Sequence, residues 1–143
     1  MRGALGATSR NLNAEGRPVQ LRFLGKETTG GQSPTLYATD QDSYVVQGWI
    51  VSDPDVFTNL DVAEDETVVE VYSRLLNHLE KDGLSGKVVS DRHPIVHVTE
   101  SGTYILQGKQ LIDEDAMAQM DVPDHETAIE VPRSVMAALV EGR

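Results

Sequence analysis

The sequence predicts an α+β fold made by tandem duplication of a small β-β-β-α-β-α unit, with the two units packed as a pseudo-two-fold pair. One observation is an internal repeat, because SYVVQGWIV at 43–51 returns as TYILQGKQL at 103–111. A shift of 60 positions also aligns residues 33–83 with 93–143 without a gap. Finally, both copies alternate strand-like and helix-like runs in the same order. The matched positions include Tyr44/Tyr104, Gln47/Gln107, Gly48/Gly108, Glu66/Glu126 and Glu70/Glu130.

The elements of the first unit follow from local residue patterns. Runs rich in β-branched and aromatic residues between turn residues predict strands. An N-capping aspartate followed by proline predicts a helix start, and a glycine after a leucine-bearing run predicts a helix end. We therefore expect strands at Gln20–Gly25, Pro34–Thr39, Tyr44–Val51 and Thr67–Val71, a short helix at Asp53–Leu60 and a helix from Ser73 to Gly83.

The second unit repeats this order with weaker signals. We expect strands at Gly86–Ser90, Ile95–Thr99, Thr103–Ile112 and Thr127–Val131, a short helix within DEDAMAQM and a final helix opened by Pro132. The predicted organisation is a flexible leader at residues 1–18, a first unit at 19–84 and a second at 85–143. Because a unit of about 55 residues buries too little surface to be stable alone, we expect a monomeric pseudo-dimer or a homodimer.

The charge distribution limits the class of partner. The formal net charge is −11, and no basic residue occurs between Lys26 and Arg74. Phosphate binding needs clustered Lys and Arg, so direct nucleic-acid binding is disfavoured and a protein with a basic surface is the expected partner. Solubility alone is the alternative explanation of the acids. The chain has no cysteine and no apolar run long enough to cross a membrane, and we expect a cytoplasmic protein.

The clearest difference between the two copies lies at Trp49 and Ile50, which correspond to Lys109 and Gln110. A core position would tolerate lysine poorly, so these two residues predict a patch that only the first unit presents, and tryptophan is enriched at binding hot spots. Burial against the leader or the other unit is the alternative. The candidate partner-binding residues are Trp49, Ile50, Gln47 and Gly48 in this strand and the acids Asp61, Glu64, Asp65 and Glu66.

Two further pairs of repeated residues have alternative interpretations. Gly48 and Gly108 interrupt strands, which indicates either a β-bulge or a close approach of another backbone or ligand. Glu70 and Glu130 interrupt strands with one apolar face; they are either ordinary solvent-facing residues or a carboxylate pair for acid–base chemistry.

Motifs for metal or cofactor chemistry fail on inspection. The segment from Asp53 resembles a calcium loop, but Phe57 and Thr58 stand where a ligand and glycine are required. His93 and His97 are separated by Pro94 and a predicted strand, which removes the helical face of a zinc pair. No phosphate-binding loop or nucleophile motif occurs. We therefore expect no metal and no cofactor, and we favour a protein without catalytic activity.

The run LRFLGKETTGGQSPTLYATDQDSYVVQGWIVSDPDVF, with ETVVEV after it, resembles small uncharacterised actinobacterial proteins that are often encoded beside helix-turn-helix regulators. The resemblance implies a regulatory accessory protein but no site or activity. A fainter likeness relates TAIEVPRSVMAAL to the strand-proline-helix element of swapped-hairpin transcription factors and antitoxins. Those proteins bind DNA through basic faces, which this chain lacks.

The sequence therefore favours a non-enzymatic, acidic protein-interaction module that acts through an acidic face and a Trp49-centred patch. Two alternatives remain open. One is an antitoxin-like or nucleic-acid-mimicking inhibitor, which needs acids at phosphate-like spacing on one face. The other is a small-molecule binder or enzyme that uses the cleft between the units.

Overall fold

Seven antiparallel strands form one sheet in the computed structural model, which describes residues 19–27, 34–52, 56, 60–89, 93–120 and 122–141. The strands are β1 Leu21–Lys26, β2 Thr35–Thr39, β3 Ser43–Ile50, β4 Glu66–Val71, β5 Ile95–Val98, β6 Tyr104–Gln110 and β7 Glu126–Pro132. The helical elements with described bounds are a 3₁₀ helix at Ser73–Asp82, α1 at Glu114–Ala118 and α2 at Arg133–Glu141. The protein is thus a mixed α+β structure in which the antiparallel sheet dominates.

Four strands close a ring at the centre of the sheet. β3 pairs along its length with β7, and β4 pairs along its length with β6. Short contacts join β3 to β4 and β6 to β7, so each of the four strands has two neighbours within the ring. β2 extends the sheet from β3 and is followed by β1, whereas β5 extends it from β6. Strands from both halves of the chain therefore pair with one another in one sheet.

The registers of the two long ladders are related by the repeat. Trp49 lies opposite Glu126 and Tyr44 opposite Val131 in the β3–β7 ladder. In the β4–β6 ladder, Lys109 lies opposite Glu66 and Tyr104 opposite Val71. Every pair of the β4–β6 ladder corresponds to a pair of the β3–β7 ladder, with 60 added to the β3 position and 60 subtracted from the β7 position. The two longest ladders therefore join the two halves of the chain, whereas the short contacts β3–β4 and β6–β7 lie within a half.

Most apolar side chains lie in one large core between the ring and the helices. The 3₁₀ helix contributes Leu75, Leu76 and Leu79, and α2 contributes Met136 and Leu139, all fully buried. Their spacing of three or four residues places them on the sheet-facing side of each helix. A smaller cluster on the other side of the sheet packs Val45 and Ala128 against Leu111 and Ala116.

Most of the expected elements are present, with three corrections. Gly86–Val89 is not a strand, so the second half lacks the counterpart of β1 among the described residues. Pro132 ends β7, and α2 begins only at Arg133. The bulges lie between Phe23 and Gly25 and between Ile95 and His97, whereas pairing continues through Gly48 and Gly108. The bulge interpretation of those two glycines is therefore wrong.

The predicted helices and the predicted leader fall only partly within the residues that the structure describes. The helix after Ser73 forms as a 3₁₀ helix that ends at Gly83 in the left-handed conformation, as expected of a C-terminal glycine. Asp113 caps α1 by accepting from the Ala116 amide at 3.0 Å. The flexible leader at 1–18 and most of the helix expected at Asp53–Leu60 lie outside the described residues. In the described parts of the chain, no helix has the length and apolar character needed to cross a bilayer.

Candidate functional site

The loop before β4, residues 60–65, carries three exposed carboxylates and is called the acidic loop below. Asp61, Glu64 and Asp65 are its exposed acids. The Asp65 carbonyl accepts from the Gln110 amide at 2.8 Å, and the Ala63 carbonyl accepts from the Glu66 amide at 3.0 Å. These bonds fix the backbone of the loop against the end of β6. The acidic loop is thus attached to a strand of the second half.

Glu66, the fourth predicted acid, is directed inward and holds this loop. Its Oε1 accepts from Gln107 Nε2 at 2.8 Å and from the Ala63 amide at 3.3 Å. Gln107 Nε2 also donates to the Asp61 carbonyl at 2.9 Å. The hydrogen bond from Gln107, followed by the one from Ala63, lowers the pKa of Glu66 below its ordinary value. Glu66 is therefore a positioning residue for the acidic loop.

Gln47 and Glu126 form the matching pair in the other ladder. Gln47 Nε2 donates to Glu126 Oε1 at 2.6 Å, and both side chains are buried. His125 Nε2 lies 3.5 Å from the second oxygen of Glu126. Gln47 was predicted to bind a partner, but its amide is enclosed in the protein. Its contribution is to hold the Glu126 carboxylate at the start of β7.

The two glutamates considered as a carboxylate pair are separately tied to hydroxyl donors. Ser43 Oγ donates to Glu130 Oε2 at 2.6 Å. Thr103 Oγ1 donates to Glu70 Oε2 at the same distance. The two carboxylates line different cavities, of 430 and 400 Å³. They therefore do not form one shared acid–base site.

Trp49 belongs to a row of three contacting side chains at the edge of the four-stranded ring. Its indole contacts Tyr72 edge-to-face, with the ring centroids 5.0 Å apart. The Arg74 guanidinium lies 4.4 Å from the centre of the Tyr72 ring, a cation–π contact. Trp49 is half-buried and Ile50 is 51% exposed. Trp49 lies outside both core clusters, and it forms a partly exposed patch with Ile50 and Tyr72.

Gly48 and Gly108 allow close passage of the chain's own backbone. A Cβ atom on Gly48 would lie 2.6 Å from the Glu70 carbonyl oxygen, and one on Gly108 would lie 2.9 Å from that of Glu130. Real Cβ atoms essentially never approach so closely. The close approach anticipated from the sequence is therefore made by β4 and β7 themselves. Neither glycine requires a ligand to explain it.

A cavity of 430 Å³ opens at the other end of the ring and is called the Lys109 cavity. Its walls include Ser43, Glu66, His93, Lys109, Glu130 and Pro132. Three carboxylates, those of Asp42, Glu66 and Glu130, line it against the single ammonium of Lys109. Its volume lies within the range of small-molecule sites. No residue of this cavity except Glu66 was among the predicted site residues.

Other charged clusters have a structural explanation. Glu27 accepts from His78 at 2.7 Å and from Arg74 at 2.5 Å, and the hydrogen bond from His78 is the main cause that lowers its pKa. Burial, reinforced by the Asp82 carboxylate 2.6 Å away, raises the pKa of Tyr44 well above its ordinary range. Among the residues that the structure describes, no three His, Asp or Glu side chains come together to hold a metal ion.

The predicted site residues fall into two places. Trp49 and Ile50 lie beside the loop before β7, where the Ile50 amide donates to the His125 carbonyl at 3.0 Å. The acidic loop lies beside Lys109 and Gln110 on the neighbouring part of the ring. Because Trp49 is opposite Glu70, it stands four residues along β4 from Glu66, about 13 Å. The sequence did contain a signal for the four hydrogen-bonded glutamates. Both copies of the repeat keep each glutamate together with the glutamine or hydroxyl residue that donates to it.

Comparison with known proteins adds no functional assignment. No protein-family model, curated protein or solved structure matches this chain.

Proposed function

We propose that the protein is a non-catalytic, acidic interaction module that binds a basic protein partner and serves as a regulatory accessory protein. The observation that carries the proposal is the fastening of the acidic loop, whose three exposed acids project from a backbone fixed by Gln107 and Gln110. A loop that is ordered before binding loses less conformational entropy in the complex. Free carboxylates on such a loop favour electrostatic recognition of Lys and Arg.

The surface patch of Trp49 and Ile50 is the proposed second contact. It lies about 13 Å along β4 from Glu66, the residue that follows the acidic loop, and a standard interface covers about 800 Å² on each partner. One partner of ordinary size therefore reaches both features. In this arrangement the acids govern the association rate, whereas the aromatic contact governs the dissociation rate.

We further propose that the fold is a tandem duplication packed as a pseudo-two-fold pair. Three observations support it besides the aligned sequence. The two long ladders have registers offset by the repeat length. The bonds Gln47–Glu126 and Gln107–Glu66 recur at matched positions, as do Ser43–Glu130 and Thr103–Glu70. Superposition of 34–83 on 94–143 in an experimental structure tests this proposal, and different strand directions would contradict it.

Affinity capture with a charge-matched control tests the proposed function. The tagged full chain and its Asp61→Asn/Glu64→Gln/Asp65→Asn variant are compared in native lysate, and a retained protein is then purified. We expect the variant to lower the association rate of that protein by about tenfold at low salt and to flatten its salt dependence. The dissociation rate should change less, since the Trp49 patch is unaltered.

The control variant is Asp40→Asn/Glu80→Gln/Glu114→Gln, which removes three exposed acids outside the acidic loop and away from Ile50. It removes the same number of negative charges, so an equal loss of association rate would show a general charge effect and contradict a role of the acidic loop. Tight binding of duplex DNA by the wild-type chain at physiological salt would contradict the proposal as a whole.

A further inference from the structure

The Lys109 cavity lies at the position that corresponds, by the sequence repeat, to the Trp49–Tyr72 aromatic pair. The repeat relates Lys109 to Trp49 and Pro132 to Tyr72. The surrounding walls correspond as well, because Ser43 and Glu130 are related to Thr103 and Glu70. Around Trp49, two aromatic rings are in contact at 5.0 Å. At the corresponding place, lysine and proline line a cavity of 430 Å³.

Lysine and proline in place of two aromatic side chains leave this space open. The cavity of 400 Å³ at the Trp49 end lies elsewhere, because Trp49 and Tyr72 are not among its lining residues. The frame around the space is retained, since Gly108 packs against the Glu130 carbonyl as Gly48 packs against that of Glu70. The same hydrogen bond, from Ser43 or Thr103, holds the glutamate in each wall. The backbone that surrounds the Trp49 indole and the Tyr72 side chain is therefore repeated around Lys109. Two aromatic side chains are absent at that second place.

The charges of the walls select the kind of molecule that fits. Asp42, Glu66 and Glu130 contribute carboxylates, and Lys109 contributes the only formal positive charge when His93 is neutral. Ser43 and Gln107 donate one hydrogen bond each to Glu130 and Glu66. A carboxylate oxygen has room for further donors, so an ammonium group in the cavity would gain charge-assisted hydrogen bonds.

We propose that the Lys109 cavity binds a small planar aromatic amine, with its ring in the space that corresponds to the Trp49 indole and its ammonium group at the Glu130 carboxylate. Glu66 is the second acceptor within the same walls. The Lys109 side chain, which is exposed, borders the entrance and disfavours a second cation. The cavity shares Glu66 and Gln107 with the anchoring of the acidic loop, but its proposed ligand does not depend on a protein partner.

Titration of the full chain with four probes tests the site. The probes are tryptamine, indole, indole-3-acetate and the non-aromatic amine cyclohexylmethylamine, and the readout is the amide NMR spectrum. We expect tryptamine to shift the amides of Ser43, Gly108, Lys109 and Glu130 saturably. Indole, indole-3-acetate and cyclohexylmethylamine should each bind at least threefold more weakly, because each lacks the ring or the cation. Tighter binding of indole-3-acetate than of tryptamine would overturn the proposal.

Two variants with opposite effects on the cavity complete the test. Lys109→Trp copies the first half and places an indole in the cavity, so tryptamine affinity should fall at least tenfold. Lys109→Ala leaves the cavity open and should keep the affinity within threefold of wild type. Glu130→Gln should weaken tryptamine several-fold while leaving indole unchanged. Unaltered binding by Lys109→Trp, or no shift of the four amides with any probe, would contradict the site.

Discussion

Single residues hold the ring together where two backbones come close. Gly48 and Gly108 face the carbonyls of Glu70 and Glu130, and neither position has room for a methyl group. The four strand glutamates accept hydrogen bonds from side chains of the opposite half of the chain, at 2.6 to 2.8 Å. These contacts join residues that are far apart in sequence. Small changes at these positions should therefore affect the whole ring.

Gly48→Ala should destabilise the protein by about 1–3 kcal/mol, the usual cost of forcing extra atoms into a packed site. Gly108→Ala should cost less, because its Cβ would lie 2.9 Å from the nearest carbonyl oxygen and not 2.6 Å. Urea unfolding of both variants measures the difference. Wild-type stability of Gly48→Ala would show that the strands separate easily at this crossing.

Glu27 should make the free energy of unfolding decrease as the pH falls into the acid range. The hydrogen bond from His78, assisted by Arg74, holds the pKa of Glu27 below its ordinary value of 4.5. A group with a lowered folded pKa stabilises the protein above its unfolded pKa and loses this contribution as the pH falls through the folded value. Glu27→Gln should therefore be less stable than wild type at pH 7, and the difference should shrink below about pH 4.

Urea unfolding of both proteins across this range checks the sign. Glu100→Gln is the matched control, since Glu100 is exposed, and it should leave the stability at pH 7 nearly unchanged. A Glu27→Gln difference that grows on acidification would contradict the assignment.

At the scale of elements, the strand positions could be predicted from the sequence but their partners could not. Alternation and turn residues located β2, β3, β4, β6 and β7 to within two residues. The pairing of β3 with β7 depends on packing between distant segments, which a local pattern does not contain. Among the site residues, Trp49 and Ile50 were predicted at the surface from their loss in the second copy. Gln47, Gly48 and Glu66 were assigned to partner binding, yet all three hold the fold internally.

The edge of the ring at Trp49 should contribute moderately to stability. The indole is half-buried against Tyr72 and lies outside both core clusters. Trp49→Lys should cost about 1–2 kcal/mol, less than the 3–5 kcal/mol typical of core aromatic truncation. Urea unfolding measures this cost, and acrylamide should quench the indole fluorescence in part. A loss above about 3 kcal/mol would place Trp49 functionally in the core.

For the whole molecule, the pairing of strands between the two halves predicts that neither half folds alone. β3 finds its long partner in β7, and β4 finds its long partner in β6, so each isolated half lacks both main ladders. Fragments 1–84 and 85–143 should each be unfolded by circular dichroism, and an equimolar mixture should regain the β signal. A cooperative unfolding transition in either fragment alone would contradict this expectation.

Because both long ladders belong to one chain, the amino acids at the two ends of the ring can differ. In a symmetric homodimer, any substitution alters both copies of a site at once, so a mutation that opens one end also opens the other. A single chain removes this restriction, because codons 49 and 109 mutate separately. Trp49 can make an aromatic contact with Tyr72 at one end while Lys109 lines a cavity at the other. The covalent link thus allows the two related ends of the ring to vary independently of each other.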